Sequence, residues 1–247
     1  MKIHILTLFP EMFGGVLSSS ILGRARTGGL MQFDIIDIRP FSDRRHKNTD
    51  DYPFGGGAGM VMTAQPIMDA AEYLKARGFC GRRIYLGPKG RMLSTPLARE
   101  LAAEDEIMLL CGHYEGVDQR ALDACVDEEI SIGDYILTGG EIAAMALIDC
   151  VARFVPGVLG SEDSPEDESF SHGLLEYPQY TRPRELRGAG VPEVLLSGDH
   201  AKISAWRRRE SLSATLRLRP DLLGAAPLTA EDRKTLKELD PSCSCVK

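Results

Sequence analysis

The sequence has no CxxC pair, no membrane-length apolar run, no basic surplus and only one tryptophan. Of its six cysteines, Cys80, Cys111, Cys125 and Cys150 fall in apolar segments such as "IMLLC" and "ALIDC", the setting of buried, reduced thiols in a cytosolic protein. Cys243 and Cys245, in "SCSCVK", are two thiols without partner histidines, too few for a metal site. No stretch approaches ~20 uninterrupted apolar residues, because Asp149 and Arg153 break the best candidate after Glu141. The opening "MKIHILTLFPEMF" is too short an apolar run for a signal segment and is closed by Pro10. A soluble, cytoplasmic protein with no membrane partner is expected. A net charge of -7 excludes coating of nucleic acid by the whole surface, so any such contact must come from local basic patches. Two common nucleotide signatures are missing as well: the first apolar run leads into "TLFPEMF" with no GxGxxG, and nothing matches GxxxxGK[ST].

At 247 residues and 43% hydrophobic content the chain can bury a sizeable core. Short apolar runs, "IHILTL", "FDIIDI", "RIYLG", "IMLLCG" and "EEISIG", alternate with helical patterns such as "QPIMDAAEYLKARG" and "TPLARELAAE". That alternation predicts an α/β domain with a parallel sheet over residues 1–160. Thr95 with Pro96 suits a helix N-cap and first turn, and Gly78 suits a helix end. The acidic "SEDSPEDESF" then opens a flexible interdomain linker over 161–171, and residues 172–247 read as a smaller helical domain without convincing strands. Asp199 suits an N-cap there, and Thr229 with Asp232 a capping box. There is no internal repeat of solenoid length.

Three glycine-containing segments fall where strands should end: "GPKG" at 87–90, "CGHYEG" at 111–116 and "SIGDYILTGGE" at 131–141. In an open α/β sheet ligands bind at the carboxyl ends of the strands, and glycine there exposes main chain to a ligand. "DDYPFGGGAGM" at 50–60 taken alone reads as a plain turn-rich loop. "WRRRE" at 206–210 is either a solvated helix face with Trp206 packed inward or a phosphate-binding patch. Arg153, among the apolar residues of "VARFVPGVLG", either snorkels or pairs with a carboxylate.

"DDYPFGGGAGM", "CGHYEGVDQR", "SIGDYILTGGE", "RFVPGVLG", "YTRP" and "LLSGDHAKI" occur in this order along one chain. With them the sequence closely resembles, over nearly its whole length, the bacterial tRNA (guanine-37-N1)-methyltransferase family of the SPOUT superfamily. The resemblance implies a SPOUT-type parallel sheet with a deep trefoil knot at the C-terminal end of the first domain, an exception to the rule against knots. It implies S-adenosylmethionine held bent within the knot, with S-adenosylhomocysteine as product. The matched cofactor residues are Tyr85, Leu86, Gly87 and Pro88 in one loop and Gly112, Tyr114, Glu115 and Gly116 in the next. In the third they are Ile132, Gly133, Asp134, Tyr135, Ile136, Leu137, Thr138, Gly139 and Gly140. Gly55, Gly56, Gly57 and Gly59, together with Glu115, are expected near the target base, and Arg207, Arg208 and Arg209 near tRNA.

The implied substrate is tRNA with guanosine at positions 36 and 37, and the implied assembly a homodimer with each active site built from both subunits. The reaction needs a base to remove the N1 proton and a donor to stabilise charge shifting to O6. The family gives the donor role to an arginine matching Arg153 and the base role to an aspartate in the linker. Here Glu168 stands in that aspartate's place, with Asp167 one residue earlier, and both remain candidates. Glutamate reaches roughly 1.5 Å further, and a misplacement of about 1 Å can cost on the order of a hundredfold in rate. Smaller departures are Gly87, Lys89 and Ala58. Magnesium supports activity in the family, but no ligand set is readable here. The alternatives are a SPOUT enzyme acting on another RNA position, and an RNA-binding homologue with impaired catalysis.

Overall fold

The computed structural model describes residues 1–160 and 168–240. The chain divides into two compact units, Met1–Glu162 and Asp163–Lys247.

The first unit begins with strand β1 (Lys2–Thr7), helices α1 (Gly14–Leu17) and α2 (Ser20–Thr27), and strand β2 (Gln32–Asp37). A short antiparallel pair follows, β3 (Asp50–Asp51) with β4 (Val61–Met62). Next come α3 (Ala64–Ala76), β5 (Arg82–Met92), α4 (Thr95–Ala102), β6 (Glu106–Cys111), α5 (Gln119–Cys125), β7 (Glu128–Ser131) and α6 (Glu141–Ala152). The main sheet has the order β2-β1-β6-β5-β7, every neighbouring pair parallel.

The period-2 alternation of a strand sends successive side chains to opposite faces. Ile3, Ile5, Ile84, Leu86, Ile107 and Leu109 therefore pack on one side with Leu97 and Leu101 of α4 and Leu147 and Ile148 of α6. Leu6, Tyr85, Met108 and Leu110 pack on the other with Ile67 and Leu74 of α3 and Ala121 of α5. Each of these fully buried aliphatic side chains contributes ~1.5–3 kcal/mol. Helices on both faces are what a parallel sheet requires, and parallel strands bring all their carboxyl ends to one edge.

Two local features differ from the sequence reading. Residues 87–90 are not a loop beyond a strand, because β5 continues to Met92; Leu86 and Arg91 both pair with Ile130, so the residues between bulge outward. Gly90 presses on the main chain of Glu129, where no Cβ would fit, and the Lys89 N–H donates to Glu129 Oε1 at 2.9 Å. The cap of α4 is Ser94 rather than Thr95: Ser94 is extended (φ -145°, ψ 163°) and its hydroxyl accepts from the Leu97 N–H, whereas Thr95 is already helical.

The second unit holds a hairpin of β8 (Glu185–Leu186) and β9 (Ala189–Gly190), then α7 (Glu193–Leu196), α8 (His200–Leu218) and α9 (Ala230–Leu239). The hairpin was not expected, since two-residue strands carry no periodic signal. Leu174, Leu212, Leu223 and Leu236 form its small core. Asp199 caps α8 by accepting from the Lys202 N–H at 3.2 Å. Thr229 and Asp232 form the expected capping box on α9, with bonds of 3.1 and 2.8 Å. Among the described residues no helix is long and apolar enough to cross a membrane.

Candidate active site

At the carboxyl ends of β5, β6 and β7 lies a cavity of about 350 Å³. Its wall is built from residues 85–88, 112–116 and 130–140 except Asp134, with Ala143 from the first turn of α6. Two glycines show why main chain dominates this wall. A Cβ at Gly140 would lie 2.8 Å from Cys111 Cα and 3.0 Å from the Gly112 nitrogen, both backbone atoms that cannot step aside. A Cβ at Gly112 would lie 2.8 Å from the Tyr85 hydroxyl oxygen. The close approach lets the Gly140 N–H donate to Gly112 O at 2.8 Å, joining the second loop to the third.

A buried carboxylate ties the same loops to the first strand. Glu141, 1% exposed, is the first residue of α6, where the helix N-terminus favours negative charge. It accepts from the Thr7 hydroxyl at 2.6 Å and from His113 Nε2 at 2.7 Å. The His113 ring also rests on Phe9 with centroids 4.7 Å apart. Thr7 is fully buried and its oxygen accepts in turn from the Phe9 N–H at 2.9 Å.

Three groups, Cys111, Tyr85 and Tyr114, are shifted towards their neutral forms. Burial, reinforced by the charge of Glu141, pushes the thiol of Cys111, at the end of β6, well above its ordinary value, so it stays protonated. Burial likewise raises Tyr85, helped by Glu129, and raises Tyr114, helped by Asp50. Both phenols are protonated donors at neutral pH. Tyr114 sits at φ 60°, a left-handed conformation that costs a non-glycine residue roughly 1–2 kcal/mol. The ladder next to it holds it there: the Glu115 N–H donates to Met60 O at 2.9 Å and the Met62 N–H to Gly116 O at 2.9 Å.

Every residue matched to the three cofactor loops lines this cavity except Asp134, which is exposed. No residue of the glycine-rich loop lines the cavity, but Gly59 backs onto the side chain of Glu115, which does. Gly55, Gly56 and Gly57 are exposed beside it in the chain. Arg153 is elsewhere, forming the C-cap of α6. The 12 residues of α6 separate it from Gly140 by ~18 Å at ~1.5 Å per residue.

Glu168 belongs to the second unit, where it shares a depression with His172, His200 and Arg207; Asp167 lies outside the described residues. Arg207 stacks on Tyr177, Arg208 makes a two-pronged pair with Asp232 at 2.9 and 2.8 Å, and Arg209 meets Glu238 at 3.2 Å. The sequence reading missed His113, Ile130, Ser131 and Ala143 in the wall, and Glu141 behind it. A histidine beside a glycine at a strand end, and a glutamate directly after "GG" at a helix start, were the available signals. The cysteine reading also needs correction: Cys111 and Cys125 are buried, but Cys150 is half-buried and Cys80, in the turn after α3, is exposed. Among the described residues no group of three or more His, Cys, Asp or Glu side chains offers magnesium a protein-built seat.

A parallel α/β sheet with a glycine-walled cleft at its strand ends is a small-molecule-binding domain of the cofactor-holding class, with main chain prominent in the wall that meets the ligand. The profile of the tRNA (Guanine-1)-methyltransferase TrmD family matches residues 1–225, and the chain belongs to that family. Among similar proteins, a tRNA (guanine-N(1)-)-methyltransferase of Geotalea uraniireducens is 56% identical, covering 97% of each chain. Its namesake in Geobacillus kaustophilus is 55% identical, over 96% of this chain and 98% of the relative. One from Carboxydothermus hydrogenoformans is 58% identical over 94% and 91%.

Proposed function

We propose that this chain methylates N1 of guanosine 37 in tRNA with S-adenosylmethionine as donor, in the cytoplasm and as a homodimer. The observation that carries the reading is the convergence of three separate loops on one glycine-walled cavity of about 350 Å³. That cavity fits the donor: it is within the usual range for small-molecule sites, and its wall offers main-chain groups and protonated phenols at Tyr85 and Tyr114. When bound there, S-adenosylmethionine supplies a methyl group on an electron-poor sulfonium. We extend the proposal to the knotted passage of the chain through residues 85–140 that is characteristic of the SPOUT fold.

The chain's own groups then manage protons and charge. Guanine N1 carries a hydrogen, so a carboxylate must accept it as N1 bonds to the methyl carbon and the carbon–sulfur bond breaks, leaving S-adenosylhomocysteine. Glu168, or Asp167 beside it, is the proposed acceptor. The electron density displaced toward O6 calls for a cation, the role proposed for Arg153. Glu115, whose side chain packs against Gly59, is the residue proposed to orient the guanine.

The positions of the two ends of α6 support the homodimer reading. A helix ~18 Å long holds Arg153 away from the cavity of its own chain, an arrangement that suits a donor supplied by a second copy. The solvent face of α6 suits that copy, with Ile142 48% exposed, and Met12, in the helical turn at residues 10–13 that contacts α6, 40% exposed. Exposed apolar clusters of this kind mark interaction surfaces.

The test is a methyl-transfer assay on unmodified tRNA with guanosine at 36 and 37, using wild type, Arg153→Ala, Glu115→Ala and a mixture of the two variants refolded together. Each variant alone is expected to be inactive and the mixture to regain activity, through dimers that keep one intact composite site. Active wild type with no regain in the mixture refutes the shared site; wild type that forms no N1-methylguanosine refutes the function itself.

A further inference from the structure

The second unit carries a cavity that the methyl-transfer reading leaves unused. It measures about 510 Å³ and lies between the segment around Tyr177 and Tyr180 and the first half of α8. Val191, Leu195, Leu196 and Ile203 give it an apolar floor. Tyr180 and Trp206 face each other across it with centroids 6.3 Å apart and planes inclined by 54°. The Tyr180 ring is 48% exposed, so this pair is an open platform rather than a closed core contact. The Arg207 guanidinium lies 4.8 Å above the centre of the Tyr177 ring.

Charge distinguishes this cavity from an ordinary surface crease. Arg182, Arg184 and Arg207 line it, and no carboxylate does. Among the described residues no acidic side chain pairs with any of these arginines. Three other arginines of the same unit are engaged: Arg208 with Asp232, Arg209 with Glu238 and Arg219 with Asp221. On a chain of net charge -7, an uncompensated positive cluster is a local attractor for an anion. Aromatic faces beside uncommitted guanidinium groups are how proteins hold unpaired nucleotides, with the base stacked on a ring and the backbone phosphate on arginine.

We infer that Tyr177, Tyr180 and Trp206, with Arg182, Arg184 and Arg207, form a stacking pocket for an unpaired nucleotide of single-stranded RNA. The inference rests on the tRNA-substrate reading and deepens it, since this nucleotide is one other than the guanosine that is methylated. The base lies against the Tyr180–Trp206 platform and its flanking phosphates meet the arginines, while the apolar floor excludes water.

Trp206 is the only tryptophan, so its emission in the full chain reports this pocket alone. The protein is titrated with a short single-stranded oligoadenylate, with a duplex RNA of the same length, and with AMP. Oligoadenylate is expected to quench Trp206 saturably and in a salt-sensitive way, and duplex and AMP to do so only at much higher concentration. Tyr180→Leu and Arg207→Gln, both at exposed positions, are expected to weaken that binding about tenfold, equivalent to ~1.4 kcal/mol and within the range of one base stack. The same variants are expected to raise KM for tRNA about tenfold while KM for S-adenosylmethionine and the melting temperature stay unchanged. Unaltered Trp206 emission at RNA concentrations that saturate filter binding would overturn the pocket. So would variants that bind like wild type, and so would AMP binding as tightly as the oligomer, which would define a mononucleotide site instead. Quenching without methyl transfer to tRNA sinks the functional reading alone; methyl transfer without quenching sinks the pocket alone.

Discussion

Replacing Arg208 by alanine separates a structural arginine from an RNA-binding one. The Arg208 guanidinium grips Asp232 with both prongs, and together with the Thr229 bonds this holds the Asp232 carboxyl at about 2, down from 3.8. At 1.36 kcal/mol per pKa unit that displacement corresponds to ~2.4 kcal/mol. Asp232 is only 5% exposed, but Arg208 is 39% exposed, so solvent screening brings the expected loss in Arg208→Ala down to ~1–2 kcal/mol. The measurement is urea unfolding at pH 7 followed by Trp206 emission, which reports the second unit. The pH dependence has a definite sign. A carboxyl whose pKa is lowered by folding stabilises the fold above its unfolded value, near 3.8, and that contribution fades as pH falls through about 2. The gap between wild type and variant should therefore be full at neutral pH and shrink between roughly pH 4 and pH 2. Arg208→Ala that unfolds at the wild-type urea midpoint, yet has lost tRNA affinity, would refute the reasoning and return Arg208 to the RNA-facing set.

Two further outcomes concern the cavity wall. Thr7→Val keeps the side-chain shape but removes a donor from the buried Glu141 carboxylate, an uncompensated loss of ~1–3 kcal/mol. If that carboxylate positions His113 and α6, calorimetry should show S-adenosylmethionine binding weakened about tenfold with kcat changed less, whereas unchanged affinity would show that the wall does not depend on this wiring. Gly140→Ala puts a methyl group 2.8 Å from Cys111 Cα, so it should abolish measurable S-adenosylmethionine binding and lower the melting temperature; normal binding would mean the backbone there yields more easily than a packed interior does.

The parallel sheet was legible because its strands are near-continuous apolar runs, "IHILT" and "IMLLC", separated by amphipathic helices, and that pattern is local. The cavity's location followed from the same logic, since glycines at the ends of such runs leave little alternative. What stayed hidden depends on contacts distant in sequence. The continuation of β5 past residues 87–90 is set by Gly90 lying on Glu129, about forty positions away along the chain. The role of Glu141 needs Thr7 and His113, which only folding brings to it, 134 and 28 residues apart from it in sequence. Ser94 took the cap from Thr95 through a single residue's backbone angles, a difference that composition does not encode.

"WRRRE" shows how far identical residues can diverge once folded. As a string, its three arginines are equivalent, and a charge count assigns them all to RNA or all to solvent. Helical geometry places successive residues about 100° apart, so they point to different surroundings: Arg207 toward an aromatic ring, Arg208 toward the capping box of α9, Arg209 toward Glu238 at the exposed surface. The box already uses Asp232 to receive the Thr229 N–H, so Arg208 neutralises a carboxylate that α9 cannot do without. Arg209 is half exposed and paired with a half-exposed partner, an arrangement worth little and easily traded for phosphate. Among the described residues, Arg207 alone of the three has no carboxylate to give up. A phosphate approaching α8 therefore meets one ready guanidinium, one that is exchangeable and one that is structurally committed. In that order, substitution at 207, 209 and 208 should pass from pure loss of RNA affinity to pure loss of stability.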